Sequence, residues 1–166
     1  FFPQQKNKIS IAISLLKNTQ RFEWFLEKAV ELGINEIMPL ICKRTLRENF
    51  RKERMENIIV SAMLQSRQYY LPKLNDAVLF EKYISSSFDE TKLIAYCKED
   101  NKKKLEEITY AGNTEILIGP EGDFTNEEIA LAIKNNYLPI SLGDTRLRTE
   151  TAGVAVAVLQ IGRAHV

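Results

Sequence analysis

The chain has 166 residues, 45% hydrophobic and 27% charged, with a net charge of +1, which suits one soluble globular domain able to bury a sizeable core. The balanced charge gives no overall drive toward nucleic acid, and with neither an apolar run of about eighteen residues nor a basic-then-apolar leader, no spanning helix or signal peptide is indicated. The cytoplasm is the expected compartment. Cys42 and Cys97 form no CxxC pair and read as reduced, packed thiols, while a single histidine, His165, leaves a serine/histidine triad or a zinc site almost no raw material.

In chain order, "KISIAISL" puts Ile9, Ile11, Ile13 and Leu15 on one face of a strand in period two. "QRFEWFLEKAVELG" then spaces Phe22, Phe25, Leu26, Ala29 and Val30 as the buried stripe of a helix, with Thr19 as a possible N-cap and Gly33 just past the C-terminus. "EIMPLI" reads as the next strand, and Pro39 points to an edge or a bulge there. "KERMENIIVSAMLQSR" is helical with Met55, Ile58, Ile59 and Ala62 inward. After Pro72 come strand candidates "AVLF" and "KLIAYC", separated by the connection Ser85 to Ser87, and "KEDNKKKLEEI" reads as a solvated turn leading into a short helix. "TEILIG" is a buried strand. Thr125 and Glu128 form a capping box, with Phe124 and Ile129 as its hydrophobic staple, so "NEEIALAIKNN" starts a helix there and ends it at the Asn pair. "LPISLG" is the last strand and "TAGVAVAVLQ" the last helix. Strands alternating with helices define an α/β class with a largely parallel sheet. The chain opens on "FFPQQKNK" without a methionine, and "IGRAHV", 161–166, matches the translation of a sequencing adapter, so it is set aside from functional reasoning and His165 with it.

Two features stand out chemically. From Lys43 to Arg54, Lys43, Arg44, Arg47, Arg51, Lys52 and Arg54 are set against only Glu48 and Glu53, either a solvated face or an RNA-facing patch. In open parallel sheets ligands sit beyond the carboxyl ends of the strands, where "AYCKED", "GPEGD" and "LGDTRLRTETAG" all belong. Gly119, Gly122 and Gly143 then serve either as ordinary turn residues or as points where backbone meets ligand. Neither Gly loop is GxGxxG or GxxxxGK[ST], and Glu121 disfavours a pyrophosphate cradle.

"LIGPEGDFTNEEI" and "SLGDTRLRTETAG", with "EKAVELGI" upstream, resemble the RsmE family of 16S ribosomal RNA uridine N3-methyltransferases in the SPOUT superfamily, from about Lys8 to about Gln160. The resemblance implies an α/β fold with a C-terminal trefoil knot, S-adenosylmethionine as methyl donor, 16S ribosomal RNA of the small subunit as substrate, and a homodimer. It implies a catalytic domain over 1–160 and an N-terminal β-rich RNA-binding domain that this stretch does not include. Carried over by position, the donor site comprises Cys97, Ile118, Gly119, Pro120, Glu121, Gly122, Leu142, Gly143, Leu147, Thr149 and Ala152. Arg148 and Glu150 face the reacting base, and Arg44, Arg67 and Arg146 face the RNA. Two positions depart from the common pattern: Thr145 stands where an arginine is usual, and Asp123 where "GPEGG" has its last glycine. An Arg148–Glu150 ion pair that merely caps the last helix is the plainer alternative for those two residues. Ribose 2′-O-methylation and a non-catalytic RNA-binding assembly role are the alternative functions. The small residues Ala152, Gly153, Ala155 and Ala157, with Val154, Val156 and Val158, point to the last helix as the dimer contact or as packing within one subunit.

Overall fold

The computed structural model describes residues 7–87, 89–97, 102–108 and 111–164, with side chains through Gln160. Residues 165–166, and so His165, lie outside them. The strands are β1 (Ile9–Ser14), β2 (Glu36–Ile41), β3 (Lys73–Leu74), β4 (Val78–Leu79), β5 (Thr91–Ala95), β6 (Lys103–Lys104), β7 (Thr114–Ile118) and β8 (Leu138–Ser141). They pair in parallel in the order β3-β2-β1-β7-β5-β8-β6, with β4 also on β2. The helices are α1 (Thr19–Glu31), α2 (Lys52–Ser66), α3 (Phe80–Tyr83), α4 (Asn126–Lys134) and α5 (Thr149–Ala164). The expected α/β class is the one found, and no helix among the described residues is long and apolar enough to cross a membrane.

β1 is central and buried on both faces. Ile9, Ile11 and Ile13 join the cluster under α1, α2 and α5, while Ala12 joins a second cluster with Phe80 of α3 and Ile129 of α4. Ser10, Ala12 and Ser14 alternate with the isoleucines and are buried on that second side. α1 begins as expected, but its N-cap is Asn18, whose side chain accepts from the Gln20 N–H, rather than Thr19. Gly33 follows the end of α1 at φ +83°, the left-handed conformation that a glycine adopts without a Cβ penalty.

Pro39 is neither at a sheet edge nor in a bulge. β2 has neighbours on both sides, and on its outer side β3 pairs Glu36 and Ile37 while β4 pairs Leu40 and Ile41, leaving Pro39 in the gap. Alternation along the strand turns the Pro39 nitrogen toward that gap, since Leu40 C=O faces β1 and Ile37 C=O faces β3. "AVLF" yields two strand residues before α3 takes over. Lys103–Lys104 adds an edge strand that the charge pattern concealed, followed by a 3₁₀ turn at Leu105–Glu107. The capping box holds as expected: Thr125 Oγ1 accepts from Glu128 N–H at 3.1 Å, and Glu128 Oε1 from Thr125 N–H at 2.9 Å.

α5 corrects two expectations. It runs Thr149–Ala164, starting before Thr151 and ending past Gln160, the bounds expected from the sequence. Its inner face is Ala152, Gly153, Val156, Ala157 and Gln160, all buried against α1, β1 and β7. A Cβ on Gly153 would fall 2.6 Å from Phe25 Cδ1. Glycine is therefore required for helix contact within the subunit, and Val156 cannot reach a partner. Thr151, Val154, Ala155 and Val158 turn outward or lie half-buried. Because β8 lies beyond β5 and β7 from β1, the chain after β8 must cross back over both to deliver α5 there.

At the amino ends of the strands, Glu115 is fully buried; Tyr137 Oη donates to its Oε1 at 3.0 Å, and Ser87 Oγ donates to its Oε2. A cleft of about 310 Å³ lies beside it, lined by Ser10, Glu36, Asn75, Tyr83, Ser87 and Asp89 among others. Burial pushes the Glu115 carboxyl above the usual carboxylate range, against the hydrogen bonds from Ser87, Tyr83 and Tyr137 that favour the anion. The folded state thus binds this proton more tightly than the unfolded chain. Its stabilising contribution is complete below the ordinary carboxylate range and is lost as pH rises through the raised value. Glu115→Gln should accordingly cost more stability at pH 4 than at pH 8, read by urea unfolding at the two pH values; a pH-independent difference would contradict the assignment.

Candidate functional site

Three loops leave the sheet side by side. Ala95 of β5 pairs with Ile118 of β7 on one side and with Ile140 of β8 on the other, so Tyr96–Cys97, Gly119–Asp123 and Leu142–Arg148 start from adjacent strand ends. Such neighbours lie about 4.8 Å apart.

Gly119 to Asp123 is the centre to which the other segments are tied. Thr149 Oγ1, buried at the start of α5, donates to Gly119 O at 2.9 Å and brings the last loop onto the first turn after β7. Lys17 N–H donates to Glu121 Oε1 at 2.8 Å, Arg146 Nη2 to Glu121 O at 3.2 Å, and Arg44 Nη1 to Gly122 O at 2.7 Å. Cys97 N–H donates to Asp123 Oδ2 at 2.9 Å. The Glu121 carboxylate therefore braces the chain before α1. Gly143 sits at φ +133°, and nothing lies within 4 Å of where its Cβ would be. Ser141 Oγ fixes that turn, donating to Gly143 O at 3.1 Å and accepting from Gly143 N–H at 3.3 Å. Leu142 and Leu147 are half-buried against the core, and Ala152 is buried on the first turn of α5, so this side of the loop cluster is apolar.

Arg148 is exposed just ahead of α5, and among the described residues its guanidinium has no hydrogen-bond or ion-pair partner. Glu150 is 7% exposed and is faced by Arg21 of α1, whose Nε lies 3.9 Å from Glu150 Oε1. The Arg148–Glu150 pair is thus replaced by an Arg21–Glu150 contact.

The basic run is partly engaged within the chain. Lys43 pairs with Glu81, Arg54 with Glu23, and Lys52 with Glu56 and Asp76. Arg47 and Arg51 are exposed at the same end of the sheet as the three loops, with no ion-pair partner among the described residues. Arg67 is elsewhere. α2 runs 15 residues back toward the amino ends of the strands before reaching it, which places it roughly 20 Å from the start of the helix. Cys42 is buried, its thiol pushed up to about 12 mainly by burial, whereas Cys97 is exposed and not packed as expected. Sequence reasoning did not single out Lys17 or Arg21, and it marked Asp123 only as a non-glycine in a glycine slot, with no role assigned.

A mostly parallel α/β sheet with three loops converging beyond its strand ends defines a ligand-binding domain of the open-sheet type. The chain belongs to the RNA methyltransferase domain family, whose model matches residues 3–160. It is 33% identical over 157 residues to the ribosomal RNA small subunit methyltransferase E of Mesomycoplasma hyopneumoniae, covering 91% of this chain and 68% of that protein. It is 29% identical over 170 residues to the enzyme of the same name from Rickettsia conorii, covering 98% and 68%. Among solved structures, a probable rRNA-methyltransferase from Porphyromonas gingivalis superposes with a TM-score of 0.91 at 32% identity, covering 100% of this chain and 72% of that one. The ribosomal RNA small subunit methyltransferase E of Neisseria gonorrhoeae bound to S-adenosyl methionine superposes at 0.87, with 29% identity and coverage of 95% and 66%.

Proposed function

We propose that residues 1–160 form the catalytic domain of an enzyme that methylates N3 of a uridine in 16S ribosomal RNA of the small subunit, with S-adenosylmethionine as donor. The observation that carries this reading is the Thr149–Gly119 bond, which holds the "LRTETA" segment against the "GPEGD" turn at three aligned strand ends. The family membership and the donor-bound relative support it.

The residues present fit the donor. Gly143 leaves open space where any side chain would intrude, Leu142, Leu147 and Ala152 offer apolar walls, and no lysine-bearing phosphate loop competes for the site. Cys97, Ile118, Gly119, Pro120, Glu121, Gly122 and Thr149 complete the site, with Glu121 and Thr149 shaping it through the bonds described above. S-adenosylmethionine supplies an electrophilic methyl group on a sulfonium. Uridine N3 must lose its proton to attack, and the exposed Arg148 guanidinium, without an ion-pair partner among the described residues, stabilises the charge that develops on the flanking carbonyl oxygens. Glu150, held by Arg21, is the group assigned to receive the N3 proton. Arg44 and Arg146 border the RNA path but spend donors on carbonyls of the turn, so Arg47 and Arg51 are better placed for phosphates, and Arg67 belongs to a different surface. The return of the chain from β8 to α5 is read as the threading of a trefoil knot. Two chains associate through the outward face of α5, with Trp24, one turn beyond Arg21 on α1, beside it.

The test is nucleoside mass spectrometry of small subunits from cells lacking the modification after incubation with purified protein and donor. The expected product is 3-methyluridine. A 2′-O-methylated nucleoside would favour ribose chemistry, and no product alongside tight RNA binding would favour an assembly role.

A further inference from the structure

Asp123 occupies the left-handed region, φ +69°, a conformation that Asp, Asn and Gly tolerate best. Both its carboxylate oxygens are used. Oδ1 accepts from Phe124 N–H at 2.8 Å, closing the local turn, and Oδ2 accepts from Cys97 N–H at 2.9 Å, reaching a different loop. β5 ends at Ala95, so Cys97 lies beyond the last rung of the β5–β7 ladder. The β5–β7 register itself ends at Ala95 and Ile118. Among the described residues the only hydrogen bond joining Cys97 to the turn after β7 is the one from this side chain. Beside Cys97, Tyr96 O accepts from Lys102 Nζ.

We propose that Asp123 is a positioning residue of the methyl-donor site, its carboxylate acting as a strap that sets the gap between the Cys97 loop and the Gly119–Asp123 turn. This rests on the donor placement argued above. The bond is exposed, so it contributes little to global stability, yet it fixes the spacing of two walls that a ligand must fill together. A glycine at 123 would keep the backbone and remove the strap, leaving the loop to be ordered at the moment of binding. An asparagine retains one acceptor oxygen for the two donors that the carboxylate serves.

The test compares the full chain with Asp123→Gly and Asp123→Asn by calorimetry with S-adenosylmethionine, by methylation of small subunits with donor and subunit varied separately, and by thermal melting. Asp123→Gly should raise donor Kd and donor KM roughly tenfold, the scale of one hydrogen bond to a charged group. Its kcat and its KM for the subunit should stay near wild type, Asp123→Asn should fall between the two, and all three melting temperatures should agree within a few degrees. Equal donor binding by all three proteins would overturn the strap. A parallel loss of kcat, both KM values and melting temperature would overturn it too, since that marks a merely structural residue. A wild-type chain that binds no donor would overturn the donor placement and the strap with it.

Discussion

Arg148→Ala should leave donor binding within a few-fold of wild type while lowering turnover by about two to three orders of magnitude, the usual cost of removing a positioned electrostatic donor. The structure sharpens the expectation. Nearby arginines are committed: Arg21 faces Glu150, Arg44 holds Gly122 O and Arg146 holds Glu121 O, so losing any of them disturbs the loops themselves. Among the described residues the Arg148 side chain has no hydrogen-bond or ion-pair partner, and its backbone C=O accepts from Ala152 N–H at 2.8 Å. Alanine there retains the helix start and removes the exposed side chain beyond Cβ, guanidinium included. Arg148→Lys should recover little, because a point charge does not reproduce a planar fork spanning two carbonyl oxygens. Calorimetry paired with single-turnover methylation separates the outcomes. A variant that loses donor affinity but keeps its maximal rate would make Arg148 a ligand of the donor instead.

What could be read from the chain follows the range of the interactions involved. α1 and α4 were legible because each carries its own signal, a buried stripe at helical spacing in one and a Thr125–Glu128 box in the other. The choice of Asn18 over Thr19 was not, since both side chains can cap and only the backbone decides. Pro39 misled because the pairing on its outer side comes from two short strands more than thirty residues onward, Lys73–Leu74 and Val78–Leu79, and the gap between them exists only in three dimensions. The loops after β7 and β8 were found by their residue types. Their linkage was not, because Lys17–Glu121, Arg44–Gly122 and Cys97–Asp123 each join positions far apart in sequence through backbone groups, which no motif records. Ser87 and Tyr137 on Glu115 are likewise distant in sequence, and there the link runs from side-chain hydroxyl to side-chain carboxylate. α5 was hardest in another way: alanine, glycine and valine in succession leave no polar side to mark which face is buried.

That ambiguity has a direct experimental consequence for the proposed homodimer. Val156 is fully buried between α5 and the β1–α1 side of the core, whereas Val158, two residues on, is 51% exposed. A glutamate at 156 would have to be buried as a charge or held neutral, with no partner provided. Val156→Glu should therefore cost upwards of about 4 kcal/mol, a large part of the roughly 5–15 kcal/mol that stabilises a domain, and should give unfolded or aggregated protein rather than clean monomers. Val158→Glu is the informative substitution for assembly. Its side chain enters solvent in the isolated subunit, so melting of the monomeric fold should change by no more than about 0.5 kcal/mol. Across an apolar α5–α5 contact, the paired carboxylates would oppose association. Sedimentation should then give folded monomers, and donor binding should weaken if the partner borders the loop cluster. A Val158→Glu chain that stays dimeric and fully active would remove α5 from the interface, and a well-folded Val156→Glu chain would contradict the packing of α5 against α1 and β1.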